Sequence, residues 1–104
     1  MARQGISKDD PSVGKRPSWE MTLDELEASP WAREFKAASP GFYAQALDYA
    51  RSPNLHVHVH QTDETGELQW AIAVDEDYEF WMDAKPTKKD AVALCRHMGW
   101  RVSD

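Results

Sequence analysis

The chain has 104 residues, 41% of them hydrophobic and 29% charged, with 12 Lys and Arg against 18 Asp and Glu and a single cysteine. That length holds one core but not two; the near-ordinary apolar and charged fractions exclude wholesale disorder, and one cysteine excludes both an intrachain disulfide and a multi-cysteine zinc cage. No apolar run approaches the roughly 18 residues of a membrane span and no apolar stretch of a secretory signal opens the sequence, so a cytoplasmic location is expected.

Residues 1–17 hold four of the basic residues (Arg3, Lys8, Lys15, Arg16) and two of the acids (Asp9, Asp10), with few large apolar side chains. They read as a flexible, weakly basic tail. Residues 18–104 keep eight basic and sixteen acidic residues, a net charge of about −8 with neutral histidines. A field of that sign repels phosphate backbones, so neither direct nucleic-acid binding nor a membrane partner is expected of the body.

Helical signals come first. Thr22 caps a helix whose Glu25 can reach back to the cap's own amide, with Met21 and Leu26 placed as a staple over it. Ser29-Pro30 opens a second helix and Ser39-Pro40 a third, proline costing nothing at a first helical position because its missing N–H would have had no partner. The third carries Tyr43, Leu47 and Ala50 on one stripe beside Phe42, Ala46 and Tyr49, and Pro53 ends it. Together with Trp31 and Phe35, these give residues 19–52 aromatic inner faces.

The period then changes to alternation. Leu55, Val57 and Val59 point one way while His56, His58 and His60 point the other, as on a strand buried on one side. Past a polar loop around Gly66, Leu68, Trp70, Ile72 and Val74 oppose Gln69, Ala71 and Ala73. After Asp75-Glu76-Asp77, Tyr78, Phe80 and Met82 oppose Glu79, Trp81 and Asp83. The last element is a helix capped by Thr87, with Asp90 completing a capping box and Ala91, Leu94, Cys95 and Met98 facing inward. Gly99 supplies a left-handed C-terminus and Trp100 the residue that folds back on it. The expected fold is α+β: short N-terminal helices, a three-stranded antiparallel meander, and a C-terminal helix packed on the sheet.

The run from Lys85 to Trp100 resembles the strand-turn-helix ending of the arm-binding domains of phage integrases, over roughly a third of the chain with its strands included. The capping chemistry explains most of that likeness, and the surrounding charge opposes DNA binding. Likewise His60-Gln61-Thr62 resembles one of the paired His-x-Thr elements of two-histidine phosphoesterases, without the second. No glycine-rich phosphate loop, serine elbow or spaced carboxylate pair appears. No enzymatic activity and no cofactor are therefore expected.

Three features compete for a function. His56, His58 and His60 form a possible zinc or copper half-site, although the outer two lie roughly 13 Å apart on a straight strand and a carboxylate from Glu79 or Asp83 would have to join. The outer sheet face would hold those histidines, then Ala71 and Ala73, then Glu79, Trp81 and Asp83, a trough that the N-terminal helices are expected to cover in part. Asp75, Glu76, Asp77, Glu79 and Asp83 make an acidic surface suited to a basic partner. The leading expectation is a non-enzymatic protein-binding module. Its site is Asp75, Glu76, Asp77, Glu79, Trp81, Asp83 and the three histidines, and its partner is a larger protein with a basic, nucleic-acid-binding surface that it could inhibit. In compactness, acidity and lack of catalytic motifs the chain is similar in character to small phage-encoded inhibitors, anti-CRISPR proteins among them. Metal binding by the histidine strand is the alternative. Either outer strand could be a free edge, so the oligomeric state stays open.

Overall fold

The computed structural model describes residues 16–64 and 66–103. The first fifteen residues of the expected tail lie outside the described residues, but Arg16 and Pro17 belong to the folded body: Arg16 pairs with Glu25, and the carbonyl of Pro17 accepts the amide of Glu20 at 2.9 Å. The molecule is α+β. Short turns of 3₁₀ helix at Ser18–Glu20 and Pro40–Phe42 accompany α1 (Leu23–Glu27), α2 (Pro30–Ala38) and α3 (Tyr43–Ala50). Then follow β1 (His56–Thr62), β2 (Gln69–Val74), β3 (Asp77–Lys85), α4 (Lys88–Met98) and β4 (Arg101–Ser103). No described helix is long and apolar enough to cross a membrane.

Local chemistry sets the helix ends. Thr22 Oγ1 accepts the amide of Glu25 at 3.1 Å and Glu25 Oε1 accepts that of Thr22 at 2.9 Å, closing the capping box that starts α1. Ser29 Oγ accepts the Ala32 amide ahead of Pro30, and Thr87 Oγ1 accepts the Asp90 amide. Ser39 does not cap. The chain there forms the Pro40–Phe42 turn of 3₁₀ helix with no side-chain cap, and the α-helix begins only at Tyr43. Phe42 is thereby turned outward and stays 59% exposed, while Ala46 and Ala50 become the buried stripe. At the end of α4 the amides of Gly99 and Trp100 return to the carbonyls of Arg96 and Cys95 at 3.2 and 2.9 Å, the paired bonds of a Schellman turn, with Gly99 at φ +81°.

The sheet order is β3-β2-β1-β4. β1, β2 and β3 form the antiparallel meander, and β4 adds to it as a fourth strand parallel to β1, with His58 beside Ser103. The meander expected from alternation is therefore one strand short of the real sheet. Three residues with one apolar side chain among them carry no readable period, and pairing to β1 is what makes β4 a strand. One core joins Val57, Ile72, Val74, Phe80 and Met82 of the sheet to Leu26, Trp31, Ala46, Cys95 and Trp100 of the helical layer. Trp31 Nε1 donates to the Met82 carbonyl at 2.8 Å, and Trp100 Nε1 donates to the buried Ser18 Oγ at 2.9 Å, which in turn donates to the carbonyl of Ala50. Each buried polar group of this set is satisfied, which is what makes its burial tolerable.

β3 departs from simple alternation. Its pairing with β2 runs Trp70 with Lys85, Ala71 with Ala84 and Ile72 with Asp83, then shifts to Ala73 with Trp81 and again to Val74 with Asp77. Such bulges put two or more residues of one strand against one of its neighbour and turn side chains to the other face. Two expectations fall here. Asp83, expected on the outer face, lies opposite the core residue Ile72, and Tyr78, expected inward, is 71% exposed.

Candidate functional site

On the outer face the small side chains of Ala71 and Ala73 are wholly buried although neither belongs to the helix-side core. Their cover comes from larger neighbours across the pleat: His60 lies opposite Ala71, and Ala73 has His58 on one side and Trp81 on the other. Over them opens a hollow of about 770 Å3, walled by His58, His60, Glu64, Tyr78, Glu79 and Trp81. None of these residues comes from a helix. The expected partial cover by the N-terminal helices is thus confined to the β3 edge, where Trp81 also borders a second hollow with Trp31, Glu34 and Phe35 of α2. No helix among the described residues covers the main trough.

Its walls are aromatic and set nearly at right angles. The imidazoles of His58 and His60 stack at 5.5 Å with 27° between planes. Tyr78 stands across His58 at 4.8 Å and 81°, and Trp81 across His60 at 6.3 Å and 76°. By register, Glu79 sits where β3 meets Val74 and Ala73, and Glu64 follows Thr62 at the opposite end of the strands. Thr62 Oγ1 donates to Glu64 Oε2 at 3.4 Å, so the hollow has a carboxylate at each end, roughly 13 Å apart along the strand direction.

Behind His58 lies a fixed acceptor. Asp75 Oδ1 is 2.9 Å from His58 Nδ1, and Asp75 Oδ2 takes the hydroxyl of Ser103 on β4. The hydrogen bond from Ser103 holds the Asp75 carboxyl below the usual carboxylate range, burial opposing it and the His58 imidazole adding to it. An ionised carboxylate only accepts, so the proton of that bond sits on Nδ1 and leaves Nε2 as the ring's second polar atom. This is not the line of a nucleophilic triad, in which the hydroxyl bonds to the far imidazole nitrogen; here hydroxyl and imidazole converge on one carboxylate.

Substituting Asp75 by alanine tests that anchor. A group whose carboxyl is lowered on folding adds stability above its unfolded value, about pH 4, and loses it as pH falls through the folded value. Asp75→Ala should cost about 1–2 kcal/mol at neutral pH, because two hydrogen bonds to a partly exposed carboxylate are removed. The gap between the two proteins' urea midpoints should then close as pH is taken from about 5 to about 2. A gap independent of pH would show that the lost stability is packing and not the ionised carboxylate.

The acids and histidines expected to act together are thus divided. His58, His60, Glu79 and Trp81 meet at the hollow, whereas His56 is exposed beside Arg101 of β4. Asp75 is engaged with His58 and Ser103, and Asp77 accepts the Tyr49 hydroxyl at 3.1 Å on the helix side; of the turn acids only Glu76 is exposed. Asp83 leaves the outer face altogether. Burial pushes its carboxyl up, countered by the Ala84 amide and by Lys85 and reinforced by Glu34. Tyr78 and Glu64 are the wall residues missed by alternation, the first hidden by the bulge and the second by its place in a loop.

Among the described residues no group of three or more His, Cys, Asp or Glu side chains is arranged to hold a metal ion. Cys95 is buried on α4, and burial pushes its thiol up to about 12, far from the thiolate a nucleophile needs. No family model matches the chain, and no curated protein and no solved structure match it.

Proposed function

We propose that the chain is a non-enzymatic protein-binding module that docks the outer face of its sheet on a basic surface of a larger protein. The observation that carries this reading is the open aromatic trough: Tyr78 and Trp81 stand in the wall of a hollow with Glu64 and Glu79, on a chain whose formal net charge is −6. Exposed aromatic anchors ringed by charge are what bind tightly at protein interfaces, and the acidic field speeds encounter with a basic partner. A partner surface of that charge is commonly a nucleic-acid groove, so occupation by this module would block nucleic acid and inhibit.

The test uses three acids that form no ion pair among the described residues. The triple variant Glu64→Lys, Glu76→Lys and Glu79→Lys should lose a basic protein that the unaltered chain captures from its native host. Competing duplex DNA or roughly 0.5 M salt, where the screening length falls to a few ångströms, should release the same protein. Capture that survives both the charge reversal and the salt would sink the proposal.

A further inference from the structure

Resting on that reading, we infer that the hollow walled by His58, His60, Tyr78, Trp81, Glu64 and Glu79 is a receptor for arginine side chains on an extended basic segment of the partner. The chemistry of the wall selects the ligand. Its carboxylates accept hydrogen bonds, and with the Nδ1–H of His58 committed to Asp75 the neutral ring has only an accepting Nε2 left to offer. The rest of the wall is aromatic. A ligand rich in donors, positively charged and flat satisfies all of these at once, and guanidinium is that group: it stacks on aromatic rings and forks onto carboxylates, where an ammonium offers only a compact charge.

The chain's own cations point the same way. Lys36 lies over the ring of Tyr43 at 5.5 Å and Lys88 over that of Trp70 at 5.8 Å. Among the described residues no lysine or arginine lies over Tyr78 or Trp81, and neither Glu64 nor Glu79 is in an ion pair. The acidic aromatic surface that lines the hollow is thus left without a cation from the described residues. At about 770 Å3 it falls within the usual range of roughly 300–1,000 Å3 for ligand sites. A strand-like segment lays its alternate side chains about 7 Å apart on one face, so successive arginines of one segment can enter a hollow whose carboxylates lie roughly 13 Å apart.

Titration calorimetry of the full chain with a capped tetra-arginine peptide and a capped tetra-lysine peptide tests this, with amide and indole NMR shifts reporting the place of binding. The arginine peptide should bind several-fold more tightly than the lysine peptide and shift Tyr78, Trp81 and His58. Tyr78→Ala and Glu79→Gln should each weaken it by about 3- to 30-fold, the effect of one cation–π contact or one charged hydrogen bond. Glu76→Gln, which removes the same charge outside the hollow, should weaken it by less than about twofold, as expected for an exposed charge. Equal affinity for the two peptides, or equal loss from Glu76→Gln and Glu79→Gln, overturns the arginine receptor while leaving docking on a basic partner standing. Absence of binding by either peptide overturns it too, and the capture experiment with the triple lysine variant then decides the docking reading separately.

Discussion

Trp31→Ala is expected to lose about 3–5 kcal/mol in urea unfolding, a fifth or more of the roughly 5–15 kcal/mol that holds a small domain folded. The indole is 3% exposed, packs edge-on against Trp100 at 5.4 Å and tilted against Phe35 at 5.8 Å, and so ties α2 to the residue that closes α4. Its Nε1 also donates to the carbonyl of Met82 in β3. Trp31→Phe separates the two roles. It keeps most of the apolar contact but leaves a buried carbonyl without its donor, at a cost of about 1–3 kcal/mol. Because Met82 lies between the bulged pair Trp81 and Asp83, Trp31→Phe should also broaden the NMR signals of Trp81, the wall residue next to the lost bond. A loss from Trp31→Ala below about 1 kcal/mol, or no gap between the alanine and phenylalanine variants, would show that α2 is not held to the sheet by this side chain.

How much of this was legible follows from where each signal originates. Caps at Thr22, Ser29 and Thr87, the glycine exit at Gly99 and the inward set Leu55 and Val57 are written in a few adjacent residues, because each depends on a backbone group or a pleat within that span. The hollow's alanine floor and four of its wall residues, His58, His60, Glu79 and Trp81, were readable for the same reason. Tyr78 and Asp83 were not. Their facing follows the two register shifts of β3 against β2, at the second of which Phe80 buries among Phe35, Phe42 and Tyr49 of the helical layer, with rings 5.1–6.2 Å away, contacts made across the fold and not within the strand. β4 is likewise invisible locally, since its place comes from β1 and from Ser103 reaching Asp75. The acidic cluster was legible as composition and misleading as a surface: the carboxylates at 75 and 77, two positions apart, go to opposite faces, one to fix an imidazole and the other to meet Tyr49.

Gly99→Ala is the second substitution of large expected effect, and its consequence should reach the site. Gly99 sits at φ +81°, and a methyl group there would meet Pro17, within 2.9 Å of its Cα and closer still to its ring. The left-handed backbone costs a non-glycine residue about 1–3 kcal/mol, and crowding against backbone adds about 1–3 kcal/mol more. Relief can come from either partner. If Pro17 moves, Ser18 moves with it and its bonds to Trp100 and the Ala50 carbonyl weaken, yet β4 keeps its pairing with β1. If the exit of α4 rotates instead, β4 leaves β1, Ser103 leaves Asp75, and the imidazole of His58 loses the anchor that sets its Nδ1 proton. Pro17→Gly in the Gly99→Ala background removes most of the crowding but none of the backbone strain, so the double variant should recover about 1–2 kcal/mol. Hydrogen exchange in β4 tells the two relaxations apart: protection retained at Arg101, whose amide donates to the Leu55 carbonyl beside β1, means that Pro17 gave way, and protection lost there, together with shifted His58 resonances, means that the α4 exit carries the hollow's back wall. A cost under about 0.5 kcal/mol for Gly99→Ala would refute the close approach to Pro17 itself.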